Sequence, residues 1–82
     1  MFTILRKKVD GRSHDTYYRN YDYAKHELHK SVENTMKILG GTITRKIDRM
    51  NTEKGFYEYQ VEATLSTGEK CTWALIEEYF SD

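Results

Sequence analysis

DYAKHELHKSVENTMKILGG, residues 22–41, is the stretch that decides the fold. At 100° of rotation per residue, its apolar side chains fall within one wide stripe that also includes two small polar residues. The stripe holds Ala24, Leu28, Ser31, Val32, Thr35, Met36, Ile38 and Leu39. Asp22 has the side chain of an N-cap, and Gly40-Gly41 favours a left-handed helix stop. The stretch therefore predicts an amphipathic helix from Asp22 to Leu39, packed on a core.

The residues before the helix predict a β-hairpin. Residues 2–9 mix β-branched and apolar side chains and lead into Asp10-Gly11. That dipeptide favours a type I′ turn, because both central residues of the turn need positive φ. A return strand is expected through about Arg19, with residues 16–18 as its most strand-prone part.

Three more strands are predicted after the helix. Residues 42–50 alternate, a loop follows at 51–55, and residues 56–65 have the cleanest period of two in the chain. A turn at 66–69 leads to a last strand over 70–76. These strands complete the order β-β-α-β-β-β.

This order predicts an α+β fold, an antiparallel sheet of four to five strands with one long amphipathic helix on one face. Residues 77–80 fit either a last helical turn or a frayed strand. Since the 82 residues contain neither proline nor a low-complexity tract, we expect a single domain over 1–82.

The loop at 51–55 suggests a register for the strands on either side of it. Pairing Met50 with Phe56 sets Ile47 opposite Tyr59 and Ile43 opposite Ala63. The same register places Thr44, Lys46 and Asp48 opposite Glu62, Gln60 and Glu58. One sheet face is then expected to be apolar and covered by the helix, and the other to be hydrophilic.

The charge of the chain argues against a strongly basic nucleic-acid binder, since 13 Lys and Arg balance 13 Asp and Glu. The distribution is uneven. Residues 1–50 contain 11 basic and 6 acidic side chains, whereas residues 51–82 contain 2 and 7. Two oppositely charged halves can complement each other within one fold, and a basic patch on one flank is the alternative.

Three features of the sequence bear on the cellular compartment. The lone cysteine, Cys71, excludes an intramolecular disulfide, and the apolar runs are too short to span a bilayer. The first residues, MFTILRKK, place basic side chains after a short apolar run, which is the reverse of a signal peptide. We expect a cytoplasmic protein without membrane association.

Candidate reactive residues are few. His26 and His29 have the spacing of a shared metal pair, with His14 or Cys71 as further ligands, but a solvated helix face explains them better. Cys71 assisted by a histidine is a conceivable nucleophile, although free cysteine is usually a small buried side chain. No phosphate loop or hydrolase motif is present. We therefore predict no catalytic, cofactor or metal site and no enzymatic activity.

The tyrosines are the most unusual feature of the composition. Four of them surround Arg19: Tyr17, Tyr18, Tyr21 and Tyr23. They fit three interpretations: packing of a core short of leucine, anchors of a protein interface, or a stacking surface for single-stranded nucleic acid. We predict that Tyr17, Tyr18, Arg19, Tyr21 and Tyr23 bind a protein partner.

A basic patch is the second candidate surface. Arg45, Lys46 and Arg49 could contact nucleic acid, with Arg6, Lys7 and Lys8 as neighbours if the two segments were adjacent strands. Consecutive residues of a strand point to opposite faces, so at most about half of each group shares a side. Cross-strand pairing with glutamates explains the charges equally well.

These observations together predict a non-enzymatic protein-binding module, an inhibitor or regulator. In its size, surplus of tyrosine and lack of a catalytic set, the chain resembles in general style the small proteins that phages and mobile elements use to block a host machine, anti-CRISPR proteins among them. The resemblance is one of type and rests on no shared motif. The alternatives are a nucleic-acid-binding protein and, less favoured, a small enzyme using Cys71 or the histidines. A homodimer through a sheet edge is left open.

Overall fold

The computed structural model describes residues 2–51 and 56–78, which form one sheet and one helix. The elements are β1 (Phe2–Val9), β2 (Arg12–Tyr18), α1 (Tyr21–Leu39), β3 (Gly41–Asn51), β4 (Phe56–Leu65) and β5 (Lys70–Glu78). The strand order is β2-β1-β5-β4-β3, and every neighbouring pair is antiparallel. The predicted α+β fold and order of elements are confirmed, with five strands. Most of the predicted loop at 51–55 lies outside the described residues, as do residues 79 and 80.

Local sequence determines the turn of the first hairpin and the two ends of the helix. Asp10 and Gly11 have φ of 50° and 84°, so the predicted turn is confirmed. The predicted N-cap was wrong. The helix is capped by Asn20, whose side-chain oxygen accepts a hydrogen bond from the N–H of Tyr23, and Asp22 lies in the first turn. At the other end Gly40 has φ of 73°, and its N–H donates to the carbonyl of Met36.

The helix packs over β1 and β5 and also touches β2. Its buried residues are Ala24, Leu28, Val32 and Thr35. They meet a sheet core made of Leu5, Tyr59, Val61, Ala63, Leu65, Cys71, Trp73 and Leu75. The predicted stripe fails at the last turn, where Ile38 is 78% exposed and Leu39 also faces solvent. Ile38 lies at the edge of the stripe, so the centre of the stripe packs on the sheet and Ile38 does not.

A β-bulge in β3 changes the register that the sequence suggested. Ile43 lies opposite Ala63 as predicted, but the next pair is Arg45 with Glu62, so Thr44 is the extra residue. From Arg45 onward, every pair is shifted by one position relative to the prediction. Ile47 therefore lies opposite Gln60 and turns to the face that the helix does not cover.

Cross-strand charges explain the shift. The predicted register would place Asp48 opposite Glu58, and like charges directly opposite each other are destabilising. The observed register instead sets Arg49 opposite Glu58, and Arg45 opposite Glu62. The observed register thus aligns residues of opposite charge where the predicted register would align two acids, which favours the bulged arrangement.

The sheet has a helix face and an open face. Lys7, Tyr59 and Trp73 bond to side chains of α1 and so mark the helix face. Residues one position away point to the open face. Among the described residues, no helix or strand packs on the open face. That face is not uniformly hydrophilic, contrary to the prediction, because Ile4 is buried there and Ile76 is half-buried.

Candidate functional site

The predicted tyrosine surface is divided between the two faces of the sheet. Tyr17 lies opposite Ile4, which places it on the open face, and it is 61% exposed. Tyr18 lies opposite Thr3 on the helix face and packs, half-buried, against the core. Adjacent residues of a strand point to opposite sides, so these two tyrosines do not lie on one face of the sheet.

The remaining members of the set surround the start of the helix. Tyr21 packs against the core, and burial raises the pKa of its hydroxyl to about 12. Tyr23 is 55% exposed and meets Tyr18 edge to face, with ring centroids 5.6 Å apart. The charge of Glu27, together with its hydrogen bond, raises the pKa of Tyr23. Arg19 is exposed just before the N-cap.

Packing therefore accounts for Tyr18 and Tyr21, which leaves Tyr17, Arg19 and Tyr23 as surface residues. Tyr23 and Tyr17 face opposite sides of the molecule, since Tyr23 contacts Tyr18 on the helix face. The five residues form no single continuous surface. Their role in binding a partner stays a prediction.

The basic patch is also divided. Strand alternation keeps its two arginines on one side, and the bulge turns that side to the open face. Arg45 and Arg49 lie opposite Glu62 and Glu58 on the open face, whereas Lys46 lies opposite Val61 on the helix face. Both arginines are exposed. Because Ile47 lies between them on the same face, the open side of β3 presents an apolar side chain flanked by two guanidinium groups.

The centre of the open face is a shallow cavity of about 450 Å³ beside β3. The open-face residues that line it are Arg45, Ile47, Arg49, Gln60, Ala74 and Ile76. The Gln60 side-chain amide donates to the Glu62 carboxylate at 3.1 Å. Glu62 is thereby held by its neighbour on β4, and Arg45 forms no ion pair with any residue that the structure describes.

A fixed ion pair lies on the other half of the open face. The Arg6 guanidinium donates two hydrogen bonds to Asp15, from Nε to Oδ1 and from Nη2 to Oδ2, each of 2.9 Å. The Arg6 hydrogen bond lowers the pKa of the Asp15 carboxyl. Beside this pair, Tyr17 is exposed and Ile76 is half-buried, whereas Ile4 between them is buried.

The sequence did not indicate a cluster on the helix face around His29. Its Nε2 lies 2.8 Å from the Tyr59 hydroxyl oxygen, and Lys25 Nζ lies 4.6 Å from the centroid of the Tyr59 ring. Lys25 Nζ also approaches Asp48 Oδ2 at 3.8 Å. Burial, and then the charges of Lys46 and Lys25, lower the pKa of His29. In the sequence, the i, i+3 spacing of His26 and His29 suggested only metal binding. That Tyr59 is the partner of His29 becomes visible only once the strands are assembled into the sheet.

The candidate reactive residues do not converge. Cys71 is buried in the core between Val9 on β1 and Ala63 on β4, and burial raises the pKa of its thiol. His26 is exposed on the helix. Within residues 2–51 and 56–78, no three His, Cys, Asp or Glu side chains are arranged to hold a metal ion. Whether the protein is an enzyme stays open to experiment.

No family model, curated protein or solved structure matches the chain. In the part of the chain that the structure describes, no helix combines the length and the apolarity needed to cross a bilayer.

Proposed function

We propose that the protein is a non-enzymatic protein-binding module that uses the open face of its sheet. The observation that carries the proposal is the bulge at Thr44, which gathers Arg45, Ile47 and Arg49 on the face left uncovered by the described elements. An unbulged β3 would have turned all three of these side chains toward the helix face.

The composition of this face is that of a protein interface. Fully buried interface centres are apolar and poor in charge, with arginine and tyrosine enriched as anchors and polar groups at the rim. Here Ile47, Ala74 and Ile76 form the apolar centre. Tyr17 and Arg45 lie at opposite edges of the sheet, on β2 and β3. A partner with an apolar ridge flanked by carboxylates would complement it.

Charge and spacing favour such a partner over nucleic acid. Arg45 and Arg49 are four residues apart along one strand, roughly 13 Å, which exceeds the spacing of successive phosphates. Each arginine has a glutamate directly across from it on β4. A phosphate backbone along β3 would meet the Glu62 carboxylate opposite Arg45, whereas a protein partner needs only one or two acidic side chains near Arg45.

A module without a reactive centre acts by occupying a surface. We infer that it serves as an inhibitor or regulator, blocking access to a patch on its partner. This is also the mode of action of the phage-encoded proteins that the chain resembles in general style. The support is the exposed mixed apolar and basic face, together with the buried state of Cys71.

The test has two stages. The immobilised protein first captures partners from an extract of its native host, identified by mass spectrometry. The dissociation constant of the purified partner is then measured for Arg45→Ala, Ile47→Ser and Tyr17→Ala. We expect losses of about tenfold for Arg45→Ala and Ile47→Ser, and a smaller loss for Tyr17→Ala.

The matched control is Lys30→Ala, an exposed position on the outer face of the helix. It should bind as the unmodified chain does. Equal affinity of all four variants would overturn the assignment of the open face. Binding of an oligonucleotide that weakens steeply with salt and depends on Arg45 would replace the proposal with the nucleic-acid alternative.

A further inference from the structure

A further cavity lies on the helix face, at the end of the β1–β2 hairpin. It has a volume of about 690 Å³ and is lined by Lys7, Val9, Arg12, Ser13, His14 and Glu69, with Asp10 at the turn. This volume is in the range of sites that hold small organic ligands. Most of its lining leaves the helix face, where Lys7 reaches the helix, and Ser13, opposite Lys8, borders the cavity at the sheet edge.

The register of the hairpin places three nitrogen donors around this space. Lys7 lies directly opposite His14, and Val9 directly opposite Arg12, so all four side chains leave the same face. The helix does not cover the outer strand here, since Arg12 and His14 are exposed. An ammonium, a guanidinium and an imidazole therefore border one apolar wall.

Lys7 is held in position before any ligand arrives. Its Nζ donates to Thr35 Oγ1 at 3.2 Å and lies 5.6 Å from the centroid of the Trp73 ring. The side chain is half-buried, and neither Lys7 nor Arg12 forms an ion pair with a carboxylate in the described residues. A partly desolvated cation without a counter-ion gains more from a bound anion than a fully hydrated one does.

We propose that this cavity binds a small phosphate monoester with a hydroxylated body, such as a nucleoside monophosphate. A phosphate monoester carries about 1.5 to 2 negative charges at pH 7, which matches the two charges of Lys7 and Arg12 better than one carboxylate does. Its three terminal oxygens can accept hydrogen bonds from donors on two strands.

The carboxylates at the rim favour a sugar phosphate over a bare anion. Glu69, whose Oε1 accepts a hydrogen bond from Thr67 at 3.3 Å, lines the cavity beside Asp10. A carboxylate repels a phosphate but accepts hydrogen bonds from sugar hydroxyls. The ligand is therefore expected to direct its phosphate to Lys7 and Arg12 and its hydroxyls to Glu69.

The experiment is an amide chemical-shift titration of the ¹⁵N-labelled chain with AMP. We expect saturable shifts around residues 7–14 and at Glu69, which weaken as ionic strength rises. Adenosine should leave these signals unchanged, and inorganic phosphate should compete with AMP. Arg12→Ala should weaken AMP binding about tenfold, the usual loss for a charge-assisted hydrogen bond.

Two further variants complete the design. Lys7→Met keeps an unbranched side chain against Trp73 while it removes the charge, and it should also weaken AMP binding. Lys8→Ala is the matched control, because Lys8 is the next residue of β1 and points to the open face. It should bind AMP as the unmodified chain does.

Three outcomes would overturn the site: no shift with AMP, equal shifts with adenosine, or unchanged affinity in both Arg12→Ala and Lys7→Met. Shifts of the same residues by a single-stranded oligonucleotide but not by AMP would also overturn it. The result is independent of the proposed protein-binding role, since that role uses Arg45 and Ile47 on the other face.

Discussion

His29 Nε2 on α1 lies 2.8 Å from the Tyr59 hydroxyl oxygen on β4, and the two rings meet edge to face with centroids 5.4 Å apart. With the imidazole neutral and its proton on Nδ1, the Tyr59 hydroxyl donates to Nε2. Lys25 on the same helix lies over the Tyr59 ring. A second positive charge on His29 would therefore enter a partly buried and already cationic site.

The first prediction concerns pH. The pKa of His29 in the folded protein is lowered from its ordinary value of 6.5, so the unfolded chain binds more protons just below that pH. The free energy of unfolding should be highest above about pH 6.5 and fall as the pH drops toward the lowered folded pKa. Urea denaturation between pH 8 and pH 5 measures this slope.

The variant His29→Gln should flatten that part of the profile. Loss of the hydrogen bond to Tyr59 should lower stability by about 1 kcal/mol at pH 8. His26→Gln is the control, because His26 is exposed on the same helix. A slope that persists in His29→Gln and disappears in His26→Gln would refute the assignment.

The second prediction concerns Gly41, which follows the helix stop. It has φ of 145°, and a Cβ added there would collide with the carbonyl oxygen of Thr64 on β4. Gly41→Ala should lower the free energy of unfolding by about 2 kcal/mol or more, since backbone must move to relieve the contact. Gly68→Ala is the matched control.

Gly68 also has a positive φ, of 92°, but an added Cβ would meet no atom within 4 Å. Gly68→Ala should therefore lower the free energy of unfolding only through backbone strain, by about 1 kcal/mol. Chemical denaturation of both variants separates collision from strain. Equal losses would show that close approach of β3 to β4 at Gly41 is unimportant.

The third prediction tests the charge argument for the bulge. In Arg45→Glu the new glutamate lies directly opposite Glu62. The two like charges should lower the free energy of unfolding by about 0.5 to 1 kcal/mol, because they weaken the pairing of β3 with β4. Faster amide exchange in β3 should accompany the loss. Lys46→Glu is the control, because Lys46 faces Val61 and meets no cross-strand acid. Similar exchange rates in the two variants would contradict the argument.

The β3–β4 register is the part of the fold that the sequence did not predict. The helix, the hairpin turn at Asp10-Gly11 and the order of elements along the chain rest on local signals, and the structure confirms them. The bulge at Thr44 depends on which charges meet across two strands, and simple alternation does not contain that information. The like-charge conflict between Asp48 and Glu58 was nonetheless present in the sequence and could have indicated the shift.

The composition of the candidate surfaces could not be predicted for the same reason, because it also depends on the strand register. Whether Tyr17 or Tyr18 faces the core depends on their pairing with Ile4 and Thr3, which fixes the side of each residue only once the sheet is assembled. Sequence composition drew attention to the tyrosines and the basic residues but could not assign them to faces of the sheet. The cavity at Lys7 was missed because its donors come from a hairpin and its anchor, Thr35, from the helix.

The fourth prediction concerns Cys71, the residue on which an enzymatic alternative depends. The thiol is buried in the core, and burial raises its pKa, so both access and thiolate formation are disfavoured. Iodoacetamide at pH 8 should therefore label the native protein at least about 100-fold more slowly than the urea-unfolded chain. Mass spectrometry of quenched time points gives both rates. Fast labelling of the native protein would show an accessible thiolate, and the hypothesis of a cysteine nucleophile would then regain its basis.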